Sequence, residues 1–262
     1  MAECKEIRKR ILELARGAGS NGSHLGGSLS SVEIINTLYH SGFNLCSSAE
    51  TRDRLILSKG HSALALYCVL ESVGVLTHED ALSFERNGSS FYAHARRNLL
   101  KGIEFSGGSL SLGVSFAVGV ALACKSKGLN NRLFVLLGDG ECDEGLVWES
   151  VMSAVNYRLD NLTLIVDCNG LQSDGFTKDV MDHAPLEEKF KGFGCRVLSV
   201  DGHDEAALAA AYKETSDGTP LVIVAHTVKG KGVSFMENVQ AWHHGAMTEK
   251  QYEQAIEEVS NG

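Results

Sequence analysis

Residues 132–137, Arg-Leu-Phe-Val-Leu-Leu, have no polar position after the first, and the run ends on Gly138-Asp139-Gly140. A strand that is apolar on both faces needs a layer packed on each side, so it belongs inside a parallel sheet between helices. The pattern repeats downstream. Residues 145–159 carry Val147, Val151, Val155 and Leu159 at helical spacing, and 162–166 form the next apolar run, ending in Asp167-Cys168-Asn169-Gly170. Two more strands are predicted at 196–200 and 221–225, with a helix between them that Asp204 can cap. The alternation predicts an α/β fold, a parallel sheet covered by helices on both faces. Right-handed crossovers bring the strand ends to one edge, where open α/β sheets bind ligands. Asp139, Asn169, His203 and His226 are therefore expected on the ligand side.

The first half is less regular. Residues 3–16 read as an amphipathic helix and 17–30 as a Gly/Ser/His loop. Ser30-Ser31-Val32-Glu33 has the form of a capping box opening a second helix. Residues 54–58 are a short strand, followed by Lys59-Gly60-His61 and an Ala/Leu-rich helix; Thr77-His78-Glu79-Asp80 looks like another helix start. Residues 87–113 form a long loop running into a helix near Leu112, and so long a loop in a compact domain is usually functional. The whole chain, 1–262, reads as one domain with a C-terminal extension from about 230 to 262. A net charge of −9 and the lack of a basic run exclude a nucleic-acid surface. No apolar stretch reaches membrane-span length, and the charged start MAECKEIRKR is no signal peptide. The seven cysteines, Cys46 among them, are scattered without a C-x-x-C pair, as expected of reduced thiols in a cytoplasmic protein.

Asp139 and Asn169 offer a carboxylate and an amide oxygen at successive strand ends. Such hard ligands suit an octahedral Mg²⁺ (Ca²⁺ is also tolerated) that keeps positions for phosphate oxygens and water. Gly140 lets backbone approach a phosphate closely, and the following helix start offers free N–H groups. A plain Asp-Gly turn explains Asp139 alone; the paired Asn-Gly one strand later is what makes the spacing informative.

Gly138-Asp139-Gly140-Glu141…Asn169 resembles the thiamine-diphosphate motif, and GDGECDEGLVWES resembles its transketolase version. SHLGGSLS (23–30), DRLILSKGHSALALY (53–67), FSGGSLSLG (105–113), AHTVKGKG (225–232) and WHHG (242–245) are similar to transketolase segments in the same order. The likeness covers nearly the whole chain, which ends where that family's diphosphate-binding domain ends. It implies a PP-type thiamine-diphosphate fold and the N-terminal subunit of a split transketolase, its pyrimidine-binding half on a separate C-terminal partner in an α₂β₂ assembly. The activity implied is transfer of a two-carbon ketol unit from a ketose or ketose phosphate to an aldose. Implied cofactors are thiamine diphosphate and Mg²⁺, with Ca²⁺ or Mn²⁺ able to substitute.

The resemblance also assigns roles. Asp139, Asn169 and the carbonyl of Leu171 would ligate the metal. His61, Gly138, Gly140, Glu141 and His244 would border the diphosphate, and Gly108, Ser109 and Leu110 the aminopyrimidine. His24, His94 and His244 would line the substrate channel and move protons, work that suits imidazole near neutral pH. His244 is taken over His243 because it directly precedes Gly245. Glu144 and Glu149 would lie at the subunit contact. His78, His183 and His203 read as structural or surface residues; Lys229 and Lys231 read either as solvated loop charges or as part of a loop folding over the site.

Some positions depart from the family. Its L-G-Q-G is Leu110-Ser111-Leu112-Gly113 here, and His94 is followed by Ala95-Arg96 where H-P-x is usual. Arg96 and Arg97 stand beside the expected channel, either as readers of an anionic sugar or as solvated charge. A transketolase specialised for an unusual sugar, a deoxyxylulose-phosphate synthase or 2-oxoacid dehydrogenase α subunit, and a non-catalytic scaffold half are the alternatives. Glu141-x-x-Glu144-Gly145 together with Ser58-Lys59-Gly60-His61 favours transketolase.

Overall fold

The computed structural model describes residues 2–45, 48, 50–182, 184–215 and 217–261; Cys46 and His183 lie outside the described residues. Five parallel strands run β1 (Arg54–Leu57), β2 (Leu133–Gly138), β3 (Leu162–Cys168), β4 (Arg196–Asp201) and β5 (Leu221–His226), in the order β1-β2-β3-β5-β4. Leu133 pairs with Leu162 and Gly138 with Asp167, so the ends of β2 and β3 are level and deliver Asp139 and Asn169 side by side.

Alternate residues serve two apolar layers, as the sequence requires. Phe134, Leu136, Ile165, Ile223 and Ala225 face one core; Val135, Leu137, Leu164, Val166, Val222 and Val224 face the other. The first layer holds α1 (Cys4–Gly17), α2 (Leu25–Ser30), α3 (Val32–His40) and α4 (Ala63–Ser72). The short α5 (His78–Leu82) opens on a true capping box, Thr77 with Asp80. The second layer holds α6 (Leu112–Ser126) and α7 (Gly145–Asn156). After β3 come α8 (Thr177–Val180) and α9 (Leu186–Gly192), and Phe190 of α9 joins the second core. Asp204 caps α10 (Glu205–Ala211) as expected, accepting from the N–H groups of Ala206 and Ala207. The C-terminal α11 (Glu249–Asn261) returns to α1, burying Ala255 and Val259 in the first core.

Two local expectations are corrected. Residues 17–30 are not a plain loop: they contain a 3-10 turn at Gly19–Asn21 and the fully buried α2. Ser30 and Ser31 do not build a capping box, because both hydroxyls turn inward to the Asp167 carboxylate, at 2.7 and 3.3 Å, and α3 begins without a side-chain cap. The long loop before α6 is present, broken only by a 3-10 turn at Leu99–Lys101.

That loop crosses the turn after β1 at two glycines. A Cβ on Gly107 would stand 2.7 Å from the Gly60 Cα, so the crossing exists only because both residues lack side chains. Gly107→Ala should therefore destabilise by about 2 kcal/mol, an overpacking cost. Gly119→Ala, on the outer face of α6 where a Cβ meets nothing, should stabilise by up to about 1 kcal/mol. Urea unfolding of both variants checks the pair.

Candidate active site

A cavity of about 220 Å³ opens at the carboxyl edge of the sheet. Its floor is Gly138, Asp139, Gly140 and Glu141 after β2, with Asn169 and Leu171 after β3. His61 enters from the turn after β1, and His24 from the N-cap of α2. His94, Gly108 and Leu110 come from the long loop, and Lys229 and His243 from the stretch after β5.

The floor is rigidly wired. Asp139 accepts from the N–H of Gly140 at 2.9 Å and of Gly170 at 2.6 Å. Asn169 donates its amide to Asp167 at 3.2 Å, which leaves Oδ1 as its outward acceptor, already meeting the Leu171 N–H at 3.1 Å. Asp167 is wholly buried and accepts from Lys59, Thr227, Ser30, Ser31 and Asn169. Glu141 ties three elements together, accepting from the Ser58 hydroxyl and from the N–H groups of Ser111 (2.7 Å) and Gly138 (3.2 Å). Ser111 holds φ at +69°, a left-handed conformation where a Gly costs nothing; a Ser there costs roughly 1 kcal/mol.

The residues fit a diphosphate with a divalent cation. Burial, then the nearby Asp167, push the Asp139 carboxyl above its ordinary value, and a cation would offset both. Among the described residues no cluster of three His, Cys, Asp or Glu could chelate a metal alone. One carboxylate, one amide oxygen and one carbonyl suit an ion that completes its shell from phosphate and water. The Leu171 carbonyl accepts from Lys229 Nζ at 2.8 Å, so it already meets a positive charge, the kind of partner a cation would be. A Cβ on Gly140 would meet the Gln172 side chain at 2.7 Å, which keeps bare backbone at the cavity wall.

The histidines converge. A backbone bridge between Ser23 and Gly245 sets His24 beside His244, ring centroids 4.5 Å apart; His24 is also 4.9 Å from His94 and 5.7 Å from His61. Burial, and then its imidazole neighbours, lower His24 to about 3, so it is neutral at pH 7. Its buried Nδ1 has no hydrogen-bond partner among the described residues. His61, and more mildly His94, are lowered by burial as well. His243 lines the cavity and meets Lys229 Nζ at 3.1 Å, while His244 packs against His24 at its side. The structure thus brings both members of the pair to the site, His243 in the cavity lining and His244 beside His24.

Other assignments separate. Ser109 is exposed and outside the cavity lining, whereas Gly108 and Leu110 belong to it. Glu144 and Glu149 are exposed near and on α7, away from the cavity. His203 and His226 do not face the ligand side: His203 is bound to Glu33 and to the Val228 N–H, and His226 to Glu187 and Ser199. His78 pairs with Glu71 at the surface. Lys229 is not a solvated charge; it is 2% exposed, and burial followed by repulsion from Lys59 lowers it to about 8. Sequence reasoning misses Lys59, Asp167 and Gln172 as site residues, although Lys59 and Asp167 each abut an apolar strand that leaves a charge nowhere exposed to go.

These features define a domain that receives a diphosphate at the carboxyl edge of a parallel sheet. Residues 5–259 match the family described as "Transketolase, thiamine diphosphate binding domain". The chain is 37% identical, over 98% of its length, to one of the named subunits of the apulose-4-phosphate transketolase of Phocaeicola vulgatus, covering 92% of that protein. It is 39% identical over 97% of its length to the 6-deoxy-6-sulfo-D-fructose transketolase subunit SqwG of a Clostridium species, covering 93% of it. The solved transketolase of Campylobacter jejuni superposes with a TM-score of 0.88 at 28% identity, over 98% of this chain and 42% of that one. The chain therefore spans less than half the length of that transketolase, and it belongs to the transketolase thiamine-diphosphate-binding family.

The buried Lys59–Asp167 pair yields a prediction. Burial alone would raise the Asp167 carboxyl, but the Lys59 ammonium and the donated hydrogen bonds hold it below its ordinary value. Its share of stability is therefore complete above the ordinary carboxylate range near pH 4 and is lost as pH falls through the depressed value. Asp167→Asn leaves Lys59 buried and unpaired and should cost about 3–5 kcal/mol at pH 7. Urea unfolding across pH 3–7 should also show a shallower acid slope in the variant.

Proposed function

We propose that this chain is the diphosphate-binding subunit of a two-chain transketolase that transfers a two-carbon ketol unit between sugars. The observation that carries the reading is the convergence of Asp139, Asn169 and Leu171 on one cavity with His24, His61, His94 and His243. Relatives matched almost end to end are named as single subunits of transketolases, which supports a separate second chain here. An α₂β₂ assembly, with Glu144 and Glu149 at its contact, is part of the proposal, as is Mg²⁺ held by Asp139, Asn169 and Leu171.

Thiamine diphosphate, when bound, supplies the carbon nucleophile and the electron sink. The chain's own residues do the rest. Asp139 and Asn169 would hold the cation that the diphosphate end needs, and Gly140 leaves bare backbone at that wall. Lys59 neutralises Asp167 beneath the floor, and Lys229 places an ammonium in the cavity wall. His24, kept neutral by burial, meets a substrate hydroxyl from the cavity wall, with the His94 and His244 rings packed against it. The group that faces the pyrimidine ring comes from the partner subunit.

Asp139→Ala should abolish the Mg²⁺-dependent thermal stabilisation that thiamine diphosphate gives the assembled complex. Purified alone, the chain should show little or no turnover and regain it with its partner; robust turnover alone would contradict the reading.

The substrates proposed are anionic sugars. The names of the two relatives specify a phosphorylated and a sulfonated sugar. Arg96 and Arg97 lie on the loop that carries His94, and neither meets a carboxylate among the described residues. The Arg96 guanidinium rests on the Tyr92 ring at 4.2 Å, which holds its fork in one orientation. Replacing both with Ala should raise KM for a phosphorylated substrate about tenfold with little change in kcat, the pattern of lost ground-state binding. An unchanged KM would remove the arginines from the account.

A further inference from the structure

Lys229 keeps its place in the cavity wall through backbone that other residues hold. The N–H of Val228 donates to His203 Nε2 at 2.9 Å, and the carbonyl of Lys231 accepts from Arg8 Nε at 3.0 Å. One bond lies just before Lys229 and the other just after it. Behind them a single carboxylate joins the two holders. Arg8 grips Glu33 with both terminal nitrogens, at 2.6 and 2.7 Å, and His203 Nδ1 stands 2.9 Å from the same group. Because Nε2 accepts from Val228, the ring proton sits on Nδ1 and is donated to Glu33.

The network is buried and tightly fitted. Arg8 and Glu33 are 7% and 6% exposed. Burial would raise the Glu33 carboxyl, but hydrogen bonds from His203 and Arg8 lower it to about 2. Gly232, at φ +92°, leaves room for the guanidinium stem, since a Cβ there would stand 3.0 Å from Arg8 Cδ. The Gly230 N–H donates to the Gly26 carbonyl at 3.0 Å, fastening the same loop to α2. None of the three side chains lines the cavity. A buried ion pair adds little net stability over apolar packing, whereas a forked one fixes geometry.

We propose that Arg8, Glu33 and His203 are positioning residues that clamp the 227–232 loop so that the Lys229 ammonium faces the bound diphosphate. The inference rests on reading the cavity as the diphosphate site. It separates the charge that meets the cofactor from the residues that aim it, the latter lying on α1, on α3 and in the turn before α10.

Two substitutions at one position test it. The amide of Asn reaches where Nδ1 stands, so His203→Asn can still donate to Glu33 but offers Val228 nothing. The longer Gln reaches where Nε2 stands, so His203→Gln can still accept from Val228. The chain, assembled with its partner subunit, is examined without cofactor by amide hydrogen exchange and then titrated calorimetrically with thiamine diphosphate and Mg²⁺. In His203→Asn, exchange at 227–232 should quicken and the cofactor Kd rise about tenfold, the effect of one lost hydrogen bond, with β3 protection unchanged. His203→Gln should stay within about twofold of the wild type on both measures. Arg8→Lys, which keeps the charge but loses the fork and the bond to the Lys231 carbonyl, should behave like His203→Asn. Wild-type exchange and Kd in His203→Asn, or equal loosening by Asn and Gln, would overturn the proposal. So would loosening that spreads equally into β3, since the network would then brace the fold as a whole. A wild-type complex that binds no thiamine diphosphate would instead remove the cofactor reading, and the exchange data would still judge the clamp.

Discussion

The buried carboxylate of Asp167 is the knot on which the site depends. It sits near the end of β3 and accepts hydrogen bonds from the end of α2, from the turn after β1, from Thr227 after β5 and from Asn169. Those are the segments that supply the cavity wall. A charge this deep is tolerable only with a full set of donors, and Lys59 supplies the opposite charge. The consequence is geometric: α2, β1, β3 and β5 cannot shift independently without leaving a buried polar group unsatisfied. Asn169 inherits its orientation from the same carboxylate, so the direction of its amide oxygen is set by wiring before anything binds.

That wiring explains why two acidic residues so close together behave oppositely. Asp167 is satisfied and held ionised, whereas Asp139, buried beside it with only two N–H donors, is pushed toward its neutral form. The imbalance leaves the floor with an unmet demand for positive charge, which the proposed divalent cation would meet. On the other wall the demand runs the other way. The ammonium of Lys229 and four crowded imidazoles, the rings kept neutral by burial, make a surface ready for anions and sugar hydroxyls. The site is thus polarised before anything binds.

Much of this is legible in the sequence, for a physical reason. The central strands are buried on both faces, so their apolar runs stand out, and the polar residues that end them mark the ligand edge. Asp139 and Asn169 can be read from that alone. What escapes is the structure made by packing rather than by pattern. Helix α2, Leu-Gly-Gly-Ser-Leu-Ser, has neither helical periodicity nor good helix formers. It forms because Gly26 and Gly27 let the Trp242 carbonyl, Lys229 and His61 come within about 3 Å of where side chains would stand. Ser30 and Ser31 look like a cap because nothing local reveals a carboxylate 136 residues downstream. His203 and His226 sit at or near strand ends, yet each has a nearer carboxylate, Glu33 or Glu187, that turns it away. Lys229 lies in a glycine-flanked stretch whose folding over the site only tertiary contacts decide.

The proposed function requires that the metal end of the cofactor site be built wholly by this chain. Anomalous diffraction from crystals of the assembled complex, grown with thiamine diphosphate and with Mn²⁺ replacing Mg²⁺, tests it most directly. One strong peak is expected within bonding distance, roughly 2.0–2.3 Å, of an Asp139 carboxylate oxygen, Asn169 Oδ1 and the Leu171 carbonyl. A cofactor-bound complex whose metal peak lies away from these three oxygens, or takes its protein ligands from the partner subunit, would contradict it.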